Sequence, residues 1–223
     1  AMGNTVMIVR KHPHFVMKTV GDYRTNLMYE LYNTMYDSRL SEMTQKASCP
    51  FINASCGYGG LIGNTDMYGC QIACKEGKIL ESIEAMMRED QRVLQHGFLQ
   101  TELNRAKEEL LNEYEIAANE VKKTESSRFA SEYVAHYLHH DPIPGAKREY
   151  NYAKKYLEDI TLDEINALAK KWITDENLVA IVMAPEKEGV TVPTEKDVLA
   201  AVTNPGNKHV EPYIDTYKDK EVV

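Results

Sequence analysis

Residues 19–46 read TVGDYRTNLMYELYNTMYDSRLSEMTQK. Apolar side chains recur along this stretch every three or four residues, the spacing of one helix face, in a stripe of Val20, Tyr23, Leu27, Leu31 and Met35. Pro50 ends the helical pattern shortly afterwards. The stretch therefore predicts a long amphipathic helix that buries one face in a core.

The segments around this helix predict a sheet. Residues 51–63 and 66–75 alternate Ile, Tyr and Cys with small residues on either side of a Gly63-Asn64 turn, which predicts paired strands. The other predicted elements are a strand at 4–10, helices at 79–94 and 101–140 with a break near Thr124, a helix from a Thr161–Glu164 capping box to Trp172, a central strand at 177–184, and a short helix capped by Thr194. We therefore predict an α+β fold: a mixed, largely antiparallel sheet with helices packed on one face.

The composition bounds the function. The 223 residues carry 26 Lys and Arg against 34 Asp and Glu, a net charge of −8, which argues against a nucleic-acid partner. No window approaches the ~20 apolar residues of a membrane span.

The chain is expected to contain one domain. Residues 1–3 are expected to be a cloning remnant, residues 4–203 the domain, and residues 204–223 a polar tail or a linker to a following repeat. The chain is accordingly expected to be an excised piece of a longer protein.

The four cysteines are expected to be buried, unpaired thiols. Cys49, Cys56, Cys70 and Cys74 are too few for a disulfide framework, and their spacings do not form the CxxC pairs of a zinc ribbon. Positions 70 and 74 share one face of a predicted strand about 13 Å apart, which is beyond disulfide reach.

A histidine cluster near residue 140 resembles a metal site. His136 and His140 have the i, i+4 spacing of zinc ligands, and the run imitates an inverted zinc-protease motif, H-x-x-E-H. His139 occupies the position of the glutamate, however, so the general base is missing. The other interpretation is a solvated helix end, where histidines favour the helix dipole. We therefore predict no metal site and no catalytic residue.

A small-residue strand is the predicted substrate-binding segment. A strand edge without bulky side chains suits an extended peptide that adds as a further strand. The alternative is an interior strand, paired on both sides, whose glycines let another backbone approach. The candidate residues are Ala54, Ser55, Gly57, Tyr58, Gly59 and Gly60.

Several motifs, in order, resemble the second repeat of insulinase/pitrilysin-type zinc metallopeptidases. Residues 89–107 are similar to that family's E-x-x-R-x-x-x-x-G-F-x-x-x-E-L-x-x-x-K segment. Residues 19–28 and 39–42 resemble the opening helix of the repeat. The other matching stretches are Pro50-Phe51, Tyr58-Gly59-Gly60, residues 160–166, Trp172 and Ala184-Pro185-Glu186-Lys187, so the resemblance spans about residues 4–202.

The resemblance implies an inactive domain of a bacterial zinc endopeptidase, with the fold of a mitochondrial-processing-peptidase-like, inverted-zincin repeat. In this family zinc is bound by H-x-x-E-H of the first repeat, a motif that is absent here, so no ligand is carried over. The implied role is to wall the substrate chamber and hold extended peptide. The implied partners are other repeats of the chain or a catalytic subunit, in a periplasmic or other extracytoplasmic setting. The alternatives are a structural subunit that has lost proteolysis and an unrelated helical binding module.

Overall fold

The computed structural model describes residues 3–185, 192–203 and 209–215. Residues 1 and 2, residues 186 and 187 of the quoted motif, and residues 204–208 and 216–223 of the predicted tail lie outside the described residues. The described elements are β1 (Asn4–Pro13), α1 (Val20–Thr44), β2 (Phe51–Ile62), β3 (Thr65–Cys74), α2 (Ile79–His96), α3 (Gln100–Glu120), α4 (Ser126–His139), α5 (Ala146–Tyr156), α6 (Leu162–Trp172), β4 (Leu178–Met183) and α7 (Glu195–Thr203).

Most predicted elements are confirmed, with one helix missed. The break in the long helical stretch falls at Val121–Lys123, a single 3-10 turn between α3 and α4, close to the predicted position. Helix α5 was not predicted, because its lysines and tyrosines form no aliphatic stripe and only Ala153 within it is buried.

The sheet has the order β2-β3-β1-β4, and its three pairings are antiparallel. Val6 and Ile8 of β1 lie opposite Ile72 and Cys70 of β3, and all four are buried in the main core cluster together with apolar residues of α1, α2, α3 and α6. The α+β fold with helices packed on one face is therefore confirmed.

Strand β4 corrects one expectation. Its apolar run predicted a central strand, but in the described part of the chain β4 pairs with β1 alone and lies at the sheet edge. Val179, Ile181 and Met183 are 40–44% exposed on the face away from the helices. The prediction was wrong because uniform apolarity indicates burial on both faces, whereas here one face is left open within the described residues.

A buried arginine, Arg39, contacts several residues of the segment 89–107, which resembles the peptidase family. Arg39 of α1 is 2% exposed, and its Nε donates to Glu102 Oε1 at 2.6 Å. Its Nη1 donates to Glu89 Oε1 at 3.2 Å, and Nη2 donates to the Gly97 carbonyl at 3.0 Å. The Phe98 ring stacks on the guanidinium at 4.6 Å. Glu89 and Glu102 of the segment 89–107 therefore join α2 and α3 to α1 across the core through Arg39.

Part of the predicted tail packs on this network. Val210 is buried, and the Tyr213 ring also contacts the Arg39 guanidinium, with its centroid 4.3 Å from Cζ. The Tyr213 hydroxyl donates to the Glu42 carboxylate at 2.8 Å. Arg105 pairs with Asp215 at 2.8 Å. Residues 209–215 are thus held against the domain.

The cysteines correct a second expectation. Cys56 of β2 and Cys70 of β3 lie directly opposite each other, with Cα atoms 4.1 Å apart, and form a disulfide. Cys49 and Cys74 are free and buried, as predicted. The prediction was wrong for the first pair because it considered separations along one strand, whereas the partner of Cys70 comes from the adjacent strand.

Candidate peptide-binding edge

The candidate residues 54–60 lie on β2, which forms an edge of the sheet in the described part of the chain. Cys56 lies opposite Cys70, and Tyr58 opposite Tyr68. In an antiparallel pair, alternate residues turn their backbone N–H and C=O groups away from the partner strand. The backbone groups of Cys56 and Tyr58 point outward in this way. Side chains of α1 hydrogen-bond them from that side.

Helix α1 occupies the middle of this edge. The Cys56 N–H donates to Asp37 Oδ1 at 2.8 Å. The Tyr58 N–H donates to Asn33 Oδ1 at 2.9 Å, and Asn33 Nδ2 donates to the Tyr58 carbonyl at 3.0 Å. A side-chain amide offers one acceptor and two donors, so Asn33 makes the pair of bonds that an added strand would make. Burial raises the pKa of the Asp37 carboxyl, and the bond from Cys56 opposes this rise.

Sequence reasoning missed Asn33 and Asp37. Both are polar and stand four residues apart on α1, so they share one helix face. That spacing is visible in the sequence, but nothing local shows that this face meets the backbone of β2. Their role depends on how the helix lies on the sheet.

Gly57 and Gly59 of β2 differ in the space around them. A Cβ at Gly57 would stand 2.6–2.9 Å from the side-chain amide of Asn33, so the glycine lets that amide reach the strand. A Cβ at Gly59 would meet nothing within 4 Å. The close approach predicted for this segment therefore occurs at Gly57, where the approaching group is a side chain, while Gly59 stays open.

The two ends of the candidate segment are not covered in this way. By the alternation of the ladder, the backbone groups of Ala54 and Gly60 point to the same side as those of Cys56 and Tyr58. No side chain of the described residues hydrogen-bonds them. Ser55 and Gly60 are exposed, and Ala54 is half-buried.

The side chain of Tyr58 makes its contacts within the domain. Its ring stacks on Trp172 with centroids 4.6 Å apart, and its hydroxyl donates to Asp66 Oδ2 at 2.9 Å. Asp66 also accepts from the Phe15 N–H at 2.7 Å and pairs with His14 Nδ1 at 2.8 Å. Burial, followed by the bond to Asp66, raises the pKa of the Tyr58 hydroxyl. Tyr58 therefore offers a peptide its backbone only.

Two polar grooves run between α1 and α3, and each is lined by one of the α1 residues that bond this edge. One, of about 590 Å³, is lined by residues that include Asp37 and Ser38 of α1 and Glu109 of α3. The other, of about 490 Å³, includes Glu30 and Asn33, and burial raises the pKa of the Glu30 carboxyl. Carboxylates outnumber arginines along both grooves. The residues that line these two grooves bring together no nucleophile with a base.

The histidines are placed at the exposed end of α4. His140 has φ 60° and ends the helix, so it leaves the regular i, i+4 geometry with His136. His136 Nδ1 donates to the Asp141 carbonyl at 2.7 Å. Within the described ranges, no group of three or more His, Cys, Asp or Glu side chains is placed to hold a metal ion. In the same ranges, no helix combines the length and apolarity that crossing a bilayer requires.

Comparisons with known proteins confirm the resemblance found in the sequence. No family model matches the chain. A protein of Arabidopsis thaliana described as "Zinc protease PQQL-like" is 25% identical over 224 residues, covering 100% of this chain and 20% of that protein. The first half of the periplasmic protease PqqL from Escherichia coli superposes with a TM-score of 0.82 at 15% identity, covering 96% of this chain and 46% of that one. A peptidase M16 inactive domain from Pseudomonas fluorescens has a TM-score of 0.58 at 13% identity, covering 86% and 43%. This chain thus spans a fifth of the curated relative and under half of these solved chains.

Proposed function

We propose that this chain is a non-catalytic domain of a zinc metalloendopeptidase, where it walls the substrate chamber and helps to hold extended peptide. One observation carries the proposal: the whole chain aligns with a relative described as a zinc protease, yet it lacks the H-x-x-E-H motif. Zinc then belongs to another repeat of the longer polypeptide or to a partner subunit. An unrelated helical binding module is disfavoured by the superposition of 96% of the chain on a protease half.

We place peptide binding at the β2 edge. The edge position of β2, the outward backbone groups at Ala54 and Gly60, and the polar grooves beside α1 support this assignment. Main-chain hydrogen bonds would hold an extended chain without strong sequence preference. Because Asn33 and Asp37 already bond the centre of the edge, a peptide that spans the whole segment must displace them.

We further propose an extracytoplasmic setting for the longer polypeptide. The disulfide between Cys56 and Cys70 supports it, since such bonds persist mainly in oxidising compartments. The solved neighbour PqqL is described as periplasmic, which agrees with this setting.

The test of peptide binding is Asn33→Ala in the complete polypeptide. Removing the amide frees both backbone groups of Tyr58. Two hydrogen bonds of about 1 kcal/mol each give about 2 kcal/mol together, which corresponds to a change in affinity of up to about 30-fold. We expect KM for long peptides to fall by up to about 30-fold, with a smaller change for short ones. Asn104→Ala is the matched control, because Asn104 of α3 is exposed, lies outside both grooves and accepts from Gln100 Nε2 of its own helix at 2.8 Å. Asn104→Ala should leave KM unchanged.

Equal KM values for Asn33→Ala and Asn104→Ala would remove the β2 edge as a binding site while leaving the chamber-wall role intact. The structural-subunit alternative is separated by a different observation. A complete polypeptide without H-x-x-E-H, and without a partner subunit that carries it, would favour a structural role.

A further inference from the structure

Helix α4 carries an apolar stripe on its solvent side. Ala130, Tyr133, Val134, Tyr137 and Leu138 follow the i, i+3, i+4, i+7, i+8 spacing of one helix face. The four large side chains are exposed to 64%, 56%, 82% and 60% in that order. An amphipathic helix normally turns such a stripe towards a core, and here it turns away from the domain.

The helix has little else to stabilise it. It is 14 residues long and has no buried residue, whereas isolated helices of 12–15 residues are marginal in water. On its domain side, Phe129 and Glu132 line an open groove of about 410 Å³ between the end of α3 and the start of α5. The contact that stabilises α4 must therefore come largely from whatever covers the stripe.

We propose that the α4 stripe docks against an apolar surface on another domain of the same polypeptide. This inference rests on the proposed function, in which the chain is one repeat of a longer peptidase. The matching domain makes up 46% of the solved PqqL half and 24% of the complete PqqL chain, so in that protein most of the polypeptide lies outside the matching part.

The size of the stripe favours a tethered partner over a separate one. Its exposed apolar side chains cover roughly 500 Å², so a matching partner gives a total interface of about 1,000 Å². That total is below the ~1,200–2,000 Å² of stable complexes between separate chains and within the range of interfaces between domains of one chain. A covalent tether supplies an effective concentration in the millimolar range, so a small patch suffices.

The test is hydrogen exchange in the complete polypeptide with Tyr137→Lys. Lysine is a good helix former and suits the last turn of a helix, so the substitution spares α4 itself. We expect α4 amides to exchange at least about tenfold faster in the variant, together with amides of one surface on another domain. Leu199→Lys, at a 58% exposed leucine of α7, is the matched control and should change neither.

Unchanged α4 exchange in Tyr137→Lys would overturn the inference. Concentration-dependent dimers abolished by Tyr137→Lys would identify a second copy as the occupant, and binding to phosphatidylglycerol vesicles lost in that variant would identify a lipid surface; either result also overturns it. Peptide hydrolysis is not the readout. An active peptidase with unprotected α4 therefore refutes the inference alone. Protected α4 in a polypeptide that is inactive and has neither H-x-x-E-H nor a partner subunit that carries it refutes the proposed function alone.

Discussion

The side chain of Asn33 holds the centre of β2 much as a neighbouring strand would. Its amide accepts from and donates to the backbone of Tyr58, and Gly57 leaves the space it needs. An exposed strand edge invites pairing with other chains, and covering it is one way in which proteins limit this. At the residue scale, the same contact protects the edge and would set the cost of the peptide binding that we propose there.

The cysteines lead to a prediction at the same scale. Denatured, unreduced protein should release two titratable thiols, those of Cys49 and Cys74. Denaturation is needed because both are buried, and burial raises the pKa of the Cys74 thiol.

The disulfide also leads to a prediction about stability. The joint change Cys56→Ser and Cys70→Ser should lower the free energy of unfolding by about 3 kcal/mol, the value expected for closing a loop between residues 14 positions apart. Reduction of the native protein should cause a similar loss in urea titrations, and a count of four thiols would contradict the disulfide.

At the scale of elements, one ion pair ties α1 to α6. Arg24 donates from Nη1 and Nη2 to the two oxygens of Glu164 at 2.8 and 3.0 Å. Glu164 also closes the capping box with Thr161, accepting from the Thr161 N–H at 2.8 Å. The bonds from Arg24, followed by those from Thr161, lower the pKa of Glu164 to about 2.

The stabilisation from this pair should depend on pH. Because the folded-state pKa is below the ordinary value, the contribution is full above about pH 5 and is lost as pH falls towards 2. Glu164→Gln should lower the free energy of unfolding by about 1 kcal/mol at pH 7, a value discounted for the partial exposure of the pair, and by much less at pH 3. Urea titrations at both pH values measure this, with Glu115→Gln at an exposed site of α3 as the control. An equal loss at pH 7 and pH 3 would contradict the assignment.

At the scale of the whole molecule, the proposed role requires that this chain has no proteolytic activity on its own. It has no H-x-x-E-H, and the described residues include no group of three metal ligands. A three-ligand zinc with an activated water therefore has no site to form on within them. The zinc-supplemented chain should not cleave a quenched peptide library. Chelator-sensitive turnover that is lost in His136→Ala with His140→Ala would show that the prediction is wrong.

The order and ends of most elements were determined by the sequence alone. The Thr161 capping box, the stop of α1 before Pro50 and the apolar stripe of α1 depend on residues within a few positions of one another. Such signals act through local hydrogen bonds and periodicity, so they can be read from the chain directly. The family resemblance likewise followed from local motifs in order.

Tertiary structure alone decided which faces and edges are covered. The Cys56–Cys70 bond, the contact of Asn33 with β2, the edge position of β4 and the outward stripe of α4 all depend on which elements become neighbours. A periodic apolar pattern predicts that one face of an element is buried, but it does not indicate which other helix or strand covers that face. The partner of a strand or helix is chosen by contacts between residues far apart in sequence, and only the folded chain brings those residues together.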